Sequence, residues 1–197
     1  DQSLIQSTHT ADGDVRFHIL ETIREFALLR LNEEADAAAV QERHARYYLN
    51  LAVTAERQLQ GSGQVAWMHR LHAESNNLRA AFAWSLSAAG DVALGLRAGA
   101  ALWWFWWVHG HVSAGRAWLE NLLALTGSTQ STHAHWHARS TAHDRAAFLA
   151  SAYGDYQQAQ AASDANLALF RRLDDPHGIA WSRYSLGLVA LVQGNVD

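Results

Sequence analysis

The sequence predicts a mainly all-α protein, built of antiparallel helix pairs stacked on one another and preceded by a short β-hairpin. Three observations predict it. Ala and Leu dominate an apolar fraction of 49%, and there is a single Pro in 197 residues, so helix formers are plentiful and helix breakers scarce. From Leu20 onward apolar residues recur at three- and four-residue spacing, the period of an amphipathic helix. Small residues and Gly-led turns then recur at intervals of roughly forty residues, near the length of one helix pair in a repeat array.

The elements follow in order. Ser3-Leu4-Ile5-Gln6 and Val15-Arg16-Phe17-His18-Ile19 read as the strands of a hairpin over about 3–19, with Ala11-Asp12-Gly13-Asp14 between them; Asp-Gly between strand-like runs is a turn signal. Leu20, Ile23, Ala27, Leu28 and Leu31 start the helical period, and Asn32 to Asp36 reads as a short connection. A longer helix from about Ala37 to Gln60 ends at Gly61-Ser62-Gly63. Trp67 and Leu71 mark a short helix, and Ser75 or Asn76 is placed to cap the next, which carries Leu78, Phe82 and Leu86 and closes at Gly90-Asp91. One helix is expected from Val92 to His109, another from His111 to Leu125, and a polar linker from Thr126 to Thr132. Asp175 is a plausible N-cap with Pro176 in the first helical position, where its missing N–H is harmless. The domain division expected is 1–61 for the front end and 62–197 for the helical array.

The repeat is visible residue by residue. Gly154-Asp155 and Gly194-Asn195 each end one helix and begin another; at the same offset Ala147 answers Gly187, Leu149 answers Val189 and Ala150 answers Ala190. Gly110-His111 plays the same part earlier, with Gly115 where the later unit has Ala159. Small residues at such places let two helices approach closely, and Gly at the turn takes a positive φ without penalty.

Composition excludes several functions. There is no Cys, hence no disulfide, zinc–thiolate site or cysteine nucleophile. There is no Lys, hence no Walker A lysine and no Schiff base within this chain. The net charge of −4 carries no clustered Arg stripe of the kind nucleic acids require, and Arg171-Arg172 is answered at once by Asp174-Asp175. No apolar run is long enough to span a bilayer, and no signal peptide is visible. The chain reads as a cytoplasmic segment of something longer, with Leu186, Leu188, Val189, Leu191 and Val192 expected to leave apolar surface where a following helix is missing.

Several stretches carry a resemblance. Phe17-His18-Ile19-Leu20-Glu21-Thr22-Ile23-Arg24-Glu25-Phe26-Ala27, Ala66-Trp67 through Leu71 with Glu74-Ser75-Asn76-Asn77-Leu78-Arg79-Ala80-Ala81, Gly99 to Gly110, and Asp174 to Gly194 resemble segments of bacterial signal-transduction ATPases with numerous domains, among them LuxR-type and AfsR-like transcriptional regulators. The resemblance implies a tetratricopeptide-like, right-handed solenoid of the MalT type, following the end of a winged-helix element. It implies an ATP-dependent regulator whose nucleotide-binding domain precedes Asp1, so no nucleotide ligand falls on these residues. Departures are Ala162-Ser163 and Asn166, smaller and more polar than the family's pattern, and the Thr-, Ser- and His-rich stretch from Ser128 to His143.

The candidate site follows from register. A helix turns by about 100° per residue, so the run Trp103-Trp104-Phe105-Trp106-Trp107 cannot face one way. With Trp103 and Trp106 in the core, Trp104 and Trp107 face the concave side, and the same register adds Asp144 and Phe148, then Trp181 and Tyr184. These six residues are the expected binding face for a protein partner or small effector; packing against neighbouring domains is the competing use of the same rings. No catalytic residue is expected, since no nucleophile-elbow pattern such as G-x-S-x-G occurs, and no cofactor. His133 and His137 lie one turn apart, with His135 and His143 nearby, but a solvated helix start explains them better than a metal does. Arg16 in the wing could touch phosphate, although Asp12 and Asp14 make the tip acidic. The function expected is regulatory binding within a multidomain regulator, with a purely structural scaffold as the alternative.

Overall fold

The computed structural model describes residues 5–9, 15–126 and 133–193. They form a mainly α-helical protein that divides into two compact units, the first ending at Arg43 and the second beginning at His44. In the first unit, β1 (Ile5–His9) and β2 (Val15–Ile19) pair antiparallel, Ile5 opposite Ile19 and His9 opposite Val15. The expected turn over 11–14 lies outside the described residues. Helix α1 (Glu21–Glu33) follows, with an Arg30–Glu33 ion pair at 2.8 Å on its surface; both partners are exposed, so the pair contributes little.

Helix α2 (Ala37–Leu59) crosses the division. The compact units therefore part inside a helix rather than at the Gly61-Ser62-Gly63 turn. The reason is a stripe of small and branched residues: Ala45, Leu49, Ala52, Ala55 and Leu59, spaced at three and four, are all buried and belong to the core of the second unit.

The second unit continues with α3 (Gln64–Ala73), α4 (Ser75–Ser85), α5 (Val92–Ala101), α6 (Trp103–Val108), α7 (Val112–Leu125), α8 (His133–Ala152), α9 (Tyr156–Arg172) and α10 (Pro176–Gln193). One continuous apolar core runs from Ala45 through Leu71, Phe82, Leu102, Leu119 and Leu122 to Leu149. Helix α8 packs against α5, α7 and α9, and α9 against α10.

Three of the turns are built alike. At the end of α8, Asp155 N–H donates to Ala150 O at 2.9 Å and Gly154 N–H to Ser151 O at 3.0 Å, with Gly154 at φ +81°. The same pair of bonds closes α6 around Gly110 (φ +72°) and α9 around Asp174 (φ +51°). This is the Schellman arrangement, in which a left-handed residue lets the chain reverse while satisfying the last carbonyls. The next residue starts the following helix: Asp155 accepts from Gln158 N–H at 3.2 Å, and Asp175 from Gly178 N–H at 3.1 Å.

Two sequence expectations change. Ser75 does not cap α4; its hydroxyl donates backward to the carbonyls of Leu71 and His72, closing α3. The helix expected over Val92 to His109 is two helices. Leu102 N–H is shared between Ala98 O at 3.1 Å and Gly99 O at 3.2 Å, a tightened turn after which Phe105 and Trp106 point into the core. On α10, Val189 is buried and Leu186 half-buried, while Leu188, Leu191 and Val192 are exposed.

Candidate binding face

The tightened turn at Leu102 decides which aromatic rings are available. Trp103, expected in the core, is half-buried and meets Phe148 of α8 edge-on at 4.8 Å. Trp107 lies tilted against the same Phe148 at 4.9 Å. Phe148 is thus held between two indoles, and the Arg145 guanidinium lies 4.8 Å from the Trp103 ring centre, within cation–π range. Trp104, half-buried as well, packs against the main core and stands edge-on to Trp103 at 5.2 Å; the indole N–H groups of both are buried without an acceptor among the described residues.

One helical turn before Phe148 is Asp144. Trp181 of α10 donates its indole N–H to Asp144 Oδ2, and Asn166 of α9 donates from Nδ2 to Oδ1 at 3.4 Å. Burial pushes the Asp144 carboxyl above its ordinary range, while these two hydrogen bonds and the Arg145 charge pull it back. Trp181 in turn lies 5.6 Å from Tyr184. Exposures of 41% for Trp107, 38% for Phe148, 47% for Trp181 and 57% for Tyr184 leave these rings open to a partner.

The structure therefore brings Trp107 to Phe148, and Asp144 to Trp181, which lies beside Tyr184; Trp104 stands on the core side of the group. Sequence reasoning missed Trp103, Arg145 and Asn166. A continuous helix would point Trp103 inward, and the turn at Leu102 interrupts it. Asn166 gave a usable signal, because a polar residue where the repeat expects an apolar one is buried only if something bonds it; here it is 1% exposed and bonded to Asp144.

Other polar groups gather elsewhere. His72 stacks on His109 at 5.6 Å, and His109 lies 6.5 Å from His111; desolvation, and then the charges of His72, His111 and His69, depress His109. Arg139 and Arg172 both lie over the Trp136 ring, at 5.3 and 5.5 Å. In the histidine run, the side chains of His133 and His135 lie outside the described residues and His137 is exposed. Among the described residues, no three His, Cys, Asp or Glu side chains are placed to hold a metal ion, and no helix is long and apolar enough to cross a membrane. In the strand register Arg16 lies opposite Thr8.

Over 123 residues, 62% of this chain, the sequence is 32% identical to proteins described as HTH-type transcriptional regulators in Mycobacterium bovis and in two strains of Mycobacterium tuberculosis. The matched stretch is 14% of those proteins' length. No family model and no solved structure matches the chain.

Proposed function

We propose that this chain is the regulatory repeat segment of a multidomain, ATP-dependent transcriptional regulator, and that its aromatic face binds a protein partner or small effector. The observation that carries the reading is the aromatic group drawn from α6, α8 and α10: Trp103, Trp107, Phe148, Trp181 and Tyr184 lie on helices of three successive units. Large rings left half-open on a helical scaffold are characteristic of binding surfaces. The three Schellman turns and close helix approaches support a tetratricopeptide-like, right-handed solenoid. The antiparallel strand pair ahead of α1 fits the end of a winged helix, and the similarity to HTH-type regulators supports transcriptional control. In this reading the segment is cytoplasmic, performs no catalysis and holds no cofactor; an upstream nucleotide-binding domain of the same protein changes state when the face is occupied.

The test is capture of the partner by the chain, with and without Trp107→Ala and Trp181→Ala. A complex lost in the variants, with helical circular dichroism unchanged, supports sensing. A complex that survives both substitutions supports the second reading, a scaffold that only holds domains together.

A further inference from the structure

Four of the nine tryptophans of this chain carry an arginine guanidinium over the indole. All fifteen basic residues are Arg, and several of them cover tryptophan: Arg70 on Trp67 at 5.0 Å, Arg46 on Trp84 at 5.6 Å, Arg145 on Trp103 at 4.8 Å, and Arg139 with Arg172 on Trp136. Guanidinium is planar and weakly hydrated, so it leaves water for an aromatic face readily. The other tryptophans are otherwise occupied. Trp106 is buried, Trp104 and Trp118 pack against the core, and Trp107 lies on Phe148. Trp181 alone among the described tryptophans is exposed beside another ring, Tyr184, with a carboxylate at its edge and no guanidinium over it.

We propose that Asp144, Trp181 and Tyr184 together receive the guanidinium of an arginine carried by a partner protein, an inference that rests on the aromatic face being a binding face. Each Asp144 oxygen accepts one hydrogen bond from a neutral donor, Trp181 or Asn166. An ionised carboxylate has about four acceptor positions, so one position per oxygen is left for the paired N–H groups of a guanidinium. No described residue forms an ion pair with Asp144. Its neighbour Arg145 has its guanidinium on Trp103. Trp181 joins an exposed ring pair to a carboxylate held only by neutral hydrogen-bond donors, and Arg145 on Trp103 shows the guanidinium–indole part of the same chemistry satisfied from within. Burial also favours the visitor: a half-desolvated carboxylate gains more from a cation than an exposed one does.

The experiment follows the Trp181 indole N–H by NMR in the isotopically labelled 197-residue chain. The probes are acetyl-arginine-amide and acetyl-citrulline-amide, which has nearly the same shape without the charge. The arginine probe should move the Trp181 signal saturably, with a dissociation constant of roughly millimolar order for a single-residue ligand. Citrulline should bind at least tenfold more weakly. Asp144→Asn, which keeps an acceptor for the Trp181 N–H, should weaken the arginine probe by tenfold or more. Equal binding of the two probes overturns the proposal, and this comparison uses the unaltered chain, so it decides even where the variant fails to fold. If acetyl-leucine-amide moves the Trp107 indole while arginine leaves Trp181 untouched, the face binds ligands and only the arginine inference falls. If no probe moves any indole on the face, both fall.

Discussion

At Gly115 a hydrogen in place of a methyl decides whether α7 can lie where it does, because a Cβ there would meet the Trp106 ring at 2.1 Å. Trp106 is buried and touches Phe82 at 5.9 Å, so its ring has nowhere to go. Gly115→Ala gains roughly 1 kcal/mol of helix propensity, but overpacking a core costs about 1–3 kcal/mol; with a rigid ring this close, the second effect wins. The expected result is a net loss of up to about 2 kcal/mol, read from the denaturation midpoint. Gly187→Ala is the opposite case. Gly187 also lies within a helix, α10, but a Cβ there meets nothing within 4 Å, so only the propensity gain remains and stability should rise by up to about 1 kcal/mol. Two Gly→Ala changes of equal sign would contradict this account of where the helices approach.

The turns carry a parallel argument among elements. Gly110, Gly154 and Asp174 occupy the same left-handed position after α6, α8 and α9, yet only Asp174 has a side chain, which costs about 1 kcal/mol in that conformation and less for Asp than for most residues. Asp174→Gly should therefore stabilise the chain by a few tenths of a kcal/mol or more, and Asp174→Val, β-branched, should destabilise it by about 1 kcal/mol or more; thermal melts of the two variants should move in opposite directions. These turns also show what was legible in the sequence. Gly154-Asp155 and Asp175-Pro176 declare a helix end and start through local chemistry alone. The left-handed role of Asp174 was not legible, because Asp fits many turns. Nor was the exchange of Trp103 for Phe105 at the core, since it depends on the shared N–H of Leu102 and on what α7 and α8 offer nearby. The contact between Asp144 and Trp181, 37 residues apart, could be anticipated only by laying one repeat over the next. That Asn166 completes it from α9 required the packed structure.

Across the whole molecule, the response of stability to pH turns on a histidine inside the helical array. His143 is desolvated by burial and repelled by Arg139, which together lower it from 6.5 to about 4. The unfolded chain binds a proton at this residue as pH falls through 6.5, while the folded chain holds the ring neutral down to about 4. Between those values the unfolded state carries more protons, so the fold loses stability as pH falls, by at most about 1.4 kcal/mol per unit. Asp144 acts in the opposite sense: its carboxyl is raised from 3.8, so just above that value the folded state holds the extra proton and gains stability as pH falls. The two effects oppose each other at the acidic end, so the His143 effect is clearest just below pH 6.5. His109 is depressed as well and acts in the same direction, so the informative quantity is a difference between variants. Chemical denaturation of the wild-type chain and of His143→Gln at pH 7.5, 6 and 5 should show the wild type losing roughly 1 kcal/mol per unit relative to the variant below 6.5. Arg139→Gln removes the repelling charge but leaves the burial, the larger cause, so it should make the wild-type slope shallower without abolishing it. A difference that stays flat with pH would mean that His143 is hydrated in the folded protein and that α8 is less tightly enclosed than its neighbours make it.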